Sequence, residues 1–271
     1  MTEDRGAFIW YELMTDDPVS ARAFYAAVVG WDIDAENSVP DGSMDYRMIN
    51  RGDGGFSGGV LGLSREMLDN GAKPGWFGYV HVPDVDAAAK RFVDAGGAIH
   101  MGPNDMPGVG RMALISDPQG AVIYVMTPTP PPDQPDAKSD IFDVVKPRHF
   151  RWNELWTTDQ DAAVALYAGT FGWTQEGAMP MGPMGDYLFI QHDGTGIGAI
   201  ARAQPGGEGS RWQHFVGVDD IDRACRAVTD TGGRLLGEPQ QIPGGEYSVY
   251  AHDPSGATIG LVGPRKESRD E

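Results

Sequence analysis

The chain has 271 residues, with 21 Lys and Arg against 39 Asp and Glu and a formal net charge of −18. That length accommodates two domains of ordinary size, and that charge repels nucleic acid and anionic membrane surfaces, so neither is an expected partner. No apolar run approaches the roughly 20 residues that span a bilayer, "MTEDRG" at the N-terminus lacks a signal-peptide pattern, and the lone Cys225 has no internal disulfide partner, so a cytoplasmic location is expected.

Residues 7–14 read as a strand. Asp17 then supplies an N-cap, Pro18 suits the first helical position, and Ala21, Phe24, Tyr25 and Val28 recur on one helical face. Gly30 fits the stop. Short strands are expected around 46–50 and 56–63, parted by glycine-rich turns. The "GDGGFSGGVLG" stretch (52–62) has neither the Gly-Lys-Ser/Thr ending nor the following helix of a phosphate loop, so its glycines are read as turns and strand. A second cycle follows: strand 77–82, helix 84–95 capped by Asp84, a stop at Gly96-Gly97, and strands around 98–101, 111–116 and 121–126.

"TPTPPPDQPDAKSDIFDVVKP" (127–147) is rich in proline and charge and reads as a semi-rigid linker. Beyond it the chain repeats itself. "IWYELMTDDPVSARAFYAAVVGW" (9–31) returns as "RWNELWTTDQDAAVALYAGTFGW" (151–173), without a gap and with 11 of 23 positions identical. "WFGYVHVPDVDAAAKRFVDAGG" (76–97) answers to "WQHFVGVDDIDRACRAVTDTGG" (212–233), and "ISDPQGAVIYV" (115–125) to "AHDPSGATIGL" (251–261). The unit is βαβββ, twice in each half. The expected division is 1–128 and 147–265, with a linker at 129–146 and a charged tail at 266–271. Cys225 falls on the apolar side of its helix and is read as a buried structural thiol.

A strand, a helix ending in "FY…GW" and a "DP-x-G" turn before a final strand resemble the vicinal oxygen chelate superfamily, which includes glyoxalase I, bleomycin-resistance proteins and extradiol dioxygenases. The resemblance implies an α+β fold: a tandem pair of glyoxalase-like domains, each of two βαβββ modules whose sheet curls around a cleft with helices outside. Active members of that family hold a divalent metal in the cleft through His, Gln or Glu on particular strands. By the same resemblance, the first-strand ligand positions here are Trp10, Phe77, Trp152 and Gln213. The last-strand positions are Tyr124 and Gly260, and "FSGG" (56–59) and "IGAI" (197–200) offer nothing. Only Gln213 can coordinate, whereas a catalytic zinc or iron needs about three protein ligands. No metal or other cofactor is therefore expected. Each of the six histidines is read as a surface or supporting residue, although a displaced site pairing Glu12 or Glu154 with a distant histidine stays open.

Strand alternation assigns Phe8, Trp10 and Glu12 to the cleft face, with Phe77, Tyr79, His81 and Tyr124 beside them in the first half. The second half contributes Phe150, Trp152, Glu154, Gln213, Phe215 and Thr258 and is expected to be more open at Gly260. Glu12 and Glu154 are costly to desolvate among such neighbours. They are read either as ties between modules or as a general base or ligand anchor. Trp31 and Trp173 are assigned to the core, and "DP-x-G" is given no chemistry.

Three functions follow: a slow glyoxalase-like lyase or isomerase, a metal-free binder of a small organic molecule in an aromatic cleft, or a non-catalytic scaffold. The second is favoured, with a metal-dependent glyoxalase or dioxygenase using displaced ligands as an alternative. The protein is expected to be a monomer whose halves form a pseudo-dimer, or a homodimer.

Overall fold

The structure, a computed structural model, describes residues 5–39, 41–135, 137–204, 206, 207 and 209–266. The tail expected at 266–271 lies outside the described residues from 267 onward. The first module runs β1 (Phe8–Thr15), α1 (Pro18–Val28), β2 (Asp32–Ile33), β3 (Asp45–Asn50) and β4 (Phe56–Gly62), followed by a short helix α2 (Arg65–Asp69). The second runs β5 (Gly75–His81), α3 (Val85–Asp94), β6 (Ala98–Met106), β7 (Gly110–Ser116) and β8 (Val122–Pro128). The third comprises β9 (Phe150–Thr157), α4 (Gln160–Phe171), β10 (Thr174–Pro180), a 3-10 turn at Gly182–Met184, β11 (Asp186–His192) and β12 (Thr195–Arg202). The fourth comprises β13 (Arg211–Gly217), α5 (Ile221–Asp230), β14 (Arg234–Leu235), β15 (Gln240–Gln241), β16 (Tyr247–His252) and β17 (Thr258–Gly263). The strands make one eight-stranded and one nine-stranded sheet.

The repeated aspartates do what the sequence predicts. Asp17, Asp84, Asp159 and Asp220 each cap a main helix by accepting from a backbone N–H of its first turn. Two elements of the first module escape the pattern: the two-residue β2, too short for periodicity, and α2, capped by Ser64. No helix among the described residues is long and apolar enough to cross a membrane.

Compactness groups the modules across the sequence halves. One unit takes Met1–Ile9, Phe77–Ser139 and Trp152–Gln213, which holds most of modules two and three. The other takes Trp10–Trp76, Asp140–Arg151 and His214–Glu271, which holds most of modules one and four.

In the first unit the strands order as β5-β8-β7-β6 and β9-β12-β11-β10, with β8 parallel to β5 and β12 parallel to β9. Helices α3 and α4 pack together. Their contact is aromatic: Phe92 meets Tyr167 and Phe171, and Trp173 stacks on Tyr167 at 5.9 Å. The C-terminal end of α4 leaves carbonyls without intrahelical donors. Arg5 donates to Gly169 and Thr170 there, and Arg91 donates to Gly169.

The second unit repeats the device. Its strands order as β2-β3-β4-β1 and β14-β16-β17-β13, and α1 packs on α5. Arg223 of α5 donates to Ala27 and Val28 at the end of α1. Cys225 is buried on the apolar face of α5, and burial raises its thiol above the usual range. The end of the proline-rich connection is docked here: Ile141 is buried, Phe142 bridges Phe150, and Asp140 pairs with Arg51.

Three expectations from sequence fail. Phe8 and Phe150 are core residues, not cleft residues. Phe8 stacks on Trp173 at 5.6 Å, and Phe150 lies against Trp31, Trp76 and Tyr11 at 5.6, 5.3 and 3.7 Å. At the first residue of each strand the aromatic core after the helix covers the face that alternation assigns to the cleft. His214 is likewise not a surface residue. It is buried edge-on to the stacked rings of Tyr11 and Phe150, at 5.1 and 6.4 Å, and burial pushes it down to about 3. Gly260 is not open space, as the geometry below shows.

The "DP-x-G" turns prove to be anchors. Asp117 accepts from the backbone of Gln119 and Ala121 and from the hydroxyl of Tyr167, which in turn accepts from Trp212 Nε1. Asp253 accepts from Ser255, Ala257 and the Tyr25 hydroxyl, which accepts from Trp76 Nε1. Burial raises both carboxyls above the usual range, and it raises both tyrosines still further from theirs.

Candidate small-molecule site around Glu154

Strand β9 alternates, so Trp152, Glu154 and Trp156 share one face. In register with them on β12 stand small residues: Glu154 faces Ala199 and Trp156 faces Ala201. The next strand, β11, brings Tyr187 and Phe189 to the same cluster. Small side chains on β12 leave room for the large ones on either side, and Trp152 meets Phe189 edge-on at 6.2 Å.

Glu154 is 7% exposed, and aromatic donors satisfy its carboxylate. Oε1 accepts from the Tyr187 hydroxyl at 2.5 Å, and Oε2 accepts from Trp156 Nε1 at 3.0 Å. The Tyr187 oxygen itself accepts from Trp152 Nε1 at 2.6 Å. A buried carboxylate costs several kcal/mol when left bare, and these N–H and O–H groups offset that cost. Trp152, Trp156 and Phe189 remain half-buried, as do Met179 and Met181 at the margin. The result is a partly open aromatic surface over a fixed carboxylate.

The first half carries an abbreviated version. Glu12 is 4% exposed and faces Gly59 on β4, and Trp10 Nε1 donates to the Tyr46 hydroxyl at 2.9 Å. A Cβ at Gly59 would collide with that hydroxyl. Met14 stands where the second half has Trp156. Tyr46 and Tyr187 escaped the sequence reading, but the signal was there: "DYRMIN" (45–50) repeats as "DYLFIQ" (186–191).

Of the other expected residues, Trp10, Glu12 and Phe215 belong to the second compact unit. Phe77, Tyr79, His81, Tyr124, Trp152, Glu154 and Gln213 belong to the first. Tyr79 and Tyr124 stack at 4.0 Å, with Phe77 edge-on to Tyr124 at 6.4 Å. His81 Nδ1 and Gln213 Oε1 are buried with no hydrogen-bond partner among the described residues.

The residues present do not fit a divalent cation at the family positions. Phe215 explains why β17 has glycine where a carboxylate ligand would stand: any Cβ on Gly260 would sit inside contact distance of the Phe215 ring. That ring also packs on Tyr250 at 5.0 Å. Tyr124 is engaged in its stack. Among the described residues, no three His, Cys, Asp or Glu side chains converge as a metal site would require.

The profile of the Glyoxalase/Bleomycin resistance protein/Dioxygenase superfamily matches residues 7–125 and 146–261. The chain belongs to that superfamily as a tandem pair of its domains. It is 29% identical to the Mycobacterium tuberculosis protein named "Putative glyoxylase CFP32", over 94% of each chain. It is 27% identical to "Anthracycline biosynthesis protein DauV" of Streptomyces sp. strain C5, over 95% of this chain and 93% of that one. Among solved structures, the Mn(II)-bound glyoxalase from Novosphingobium aromaticivorans superposes with a TM-score of 0.62 at 17% identity, over 97% of this chain and 84% of that one. The 2,2',3-trihydroxybiphenyl 1,2-dioxygenase of Sphingomonas wittichii strain RW1 gives 0.64 at 12% identity, over 95% and 90%. At those identities the two structures share the fold with this chain.

Proposed function

We propose that this superfamily member binds a flat small organic molecule against Trp152, Trp156 and Phe189, with Glu154 as its polar anchor, and does so without the family metal. The observation that carries the proposal is the Trp152–Tyr187–Glu154–Trp156 network, which holds a carboxylate under a half-exposed aromatic surface. Such a surface suits a ring system, because π-faces stack and a fixed acceptor orients one donor edge. The relative named for anthracycline biosynthesis supports a fused-ring ligand. The single buried thiol fits a cytosolic setting.

The relative named as a glyoxylase favours a second reading, in which Glu154 removes a proton beside a carbonyl. Its two donors are already committed to the carboxylate, which leaves little to stabilise an enediolate, so turnover would be slow. Titration of the protein with fused-ring quinones and with α-dicarbonyl compounds, read by tryptophan fluorescence and by product formation, separates the two. Saturable quenching that weakens in Trp152→Ala, with no product, supports binding. Turnover abolished by Glu154→Gln supports catalysis, and neither response from any compound removes the site.

A further inference from the structure

A cavity of about 500 Å³ opens in the second unit, and none of the residues that line it belongs to the aromatic site. For a chain of net charge −18 its lining is unusual, because Arg51, Lys146, Arg148 and Arg223 contribute four cationic side chains against the two carboxylates of Asp53 and Asp219. Three of them have carboxylate partners. Arg51 pairs with Asp53 and Asp140, Lys146 with Asp143, and Arg223 with Asp219. Arg148 has none among the described residues. Its Nη1 donates to the Arg51 carbonyl at 3.0 Å.

The backbone is built to hold Arg148 there. Its φ is +64°, a left-handed conformation that is unfavourable for a side-chain-bearing residue. Three bonds pin it: Arg148 N donates to Gly217 O at 2.7 Å, and Arg148 O accepts from Trp31 Nε1 at 2.8 Å and Ser57 Oγ at 2.7 Å. The guanidinium is also given space. A Cβ on Gly30 would stand 3.1 Å from Nε and 3.3 Å from Nη2, and one on Gly52 would stand 3.3 Å from Nη1. Backbone geometry favours glycine at both positions as well, with φ of +86° at each. The Nε–Nη2 edge is a rigid two-donor fork of the kind that matches an oxyanion.

We propose that this cavity is an oxyanion site, taking the phosphate or carboxylate group of a small soluble metabolite on the Arg148 fork, with Lys146 as a second positive charge. Binding there is independent of the aromatic surface around Glu154. A protein this acidic repels anions in general, so saturable anion binding would require a local site.

The test is calorimetric titration of the full chain, at low ionic strength, with pyrophosphate and with citrate. One-to-one binding of at least one is expected; pyrophosphate alone marks a phosphate site and citrate alone a carboxylate site. Arg148→Gln should weaken binding about tenfold or more, the loss of one charge-assisted pair. Lys146→Gln should weaken it less, and the Glu154→Gln variant should bind as the parent does. Arg65→Gln, which removes the same charge from exposed α2, should change nothing. Lys146→Gln keeps the test decisive if Arg148→Gln fails to fold. Absence of saturable binding by both anions at roughly 10 mM, well beyond millimolar affinity, would overturn the proposal. Equal weakening in Arg65→Gln and Arg148→Gln would do the same.

Discussion

Tyr25 and Asp253 lie 228 residues apart and share a buried hydrogen bond of 3.0 Å. Tyr167 and Asp117 make the equivalent bond at 3.2 Å. The tyrosine of each helix that ends in "Y…GW" therefore meets the "DP-x-G" aspartate of the other half of the sequence. In both cases an indole N–H completes a Trp–Tyr–Asp chain.

Replacing Tyr25 with Phe should destabilise the protein by about 1–3 kcal/mol, because Trp76 Nε1 and Asp253 Oδ2 each lose a buried partner. Tyr167→Phe should cost a similar amount. Urea unfolding would read both as lower midpoints at unchanged slope. A cost below ~0.5 kcal/mol in both would show that the chains do not hold the modules.

His214 sets an acid limit. Burial holds it down to about 3 in the folded chain, against 6.5 for the free side chain. Below pH 6.5 the unfolded chain therefore takes up a proton that the native state refuses, and stability falls as pH falls, by up to about 1.4 kcal/mol per pH unit from this one group. Asp117 and Asp253, whose carboxyls burial raises, act with the opposite sign, so the contribution of His214 is read as the difference between the parent and a variant lacking it. The slope should thus be measured between pH 6.5 and 5, a window that opens at the free-histidine value. His214→Leu should flatten it, and a slope that persists would place the acid sensitivity elsewhere.

Gly260 and Phe215 should be energetically coupled. Gly260→Ala forces a Cβ into the ring and should destabilise the chain by about 1–3 kcal/mol. Phe215→Ala alone leaves a cavity and costs about 3–5 kcal/mol. In the double variant the new methyl occupies vacated space, so the combined loss should be smaller than the two losses added. Additive losses would mean that the ring moves aside freely.

The purified protein should contain no stoichiometric metal, and zinc, nickel, manganese and iron(II) should not raise its melting temperature. Elemental analysis with thermal-shift titration checks this. A stoichiometric metal, or a shift lost in Glu12→Gln or Glu154→Gln, would restore a displaced metal site.

Much of this was legible in the sequence. The helix caps at Asp17, Asp84, Asp159 and Asp220 are local interactions within a few residues, and the repeat exposes them twice over. Strand alternation likewise put Trp152 beside Glu154, because period-two geometry is a property of the strand alone. Tyr187 was out of reach by that route: it arrives from another strand, and its hydroxyl finds Glu154 through the stacking order β11-β12-β9. Gly260 misled for a related reason. A glycine in a sequence shows the absence of a side chain, but only the neighbouring strand shows that the Phe215 ring has taken its place. The sequence by itself determined the repeated βαβββ module and its Trp-Glu strand, since both follow from local periodicity and capping. Which module packs with which, and which carboxylate meets which donor, was decided only by tertiary structure. Those contacts join side chains tens to hundreds of residues apart, and no local rule of spacing encodes them.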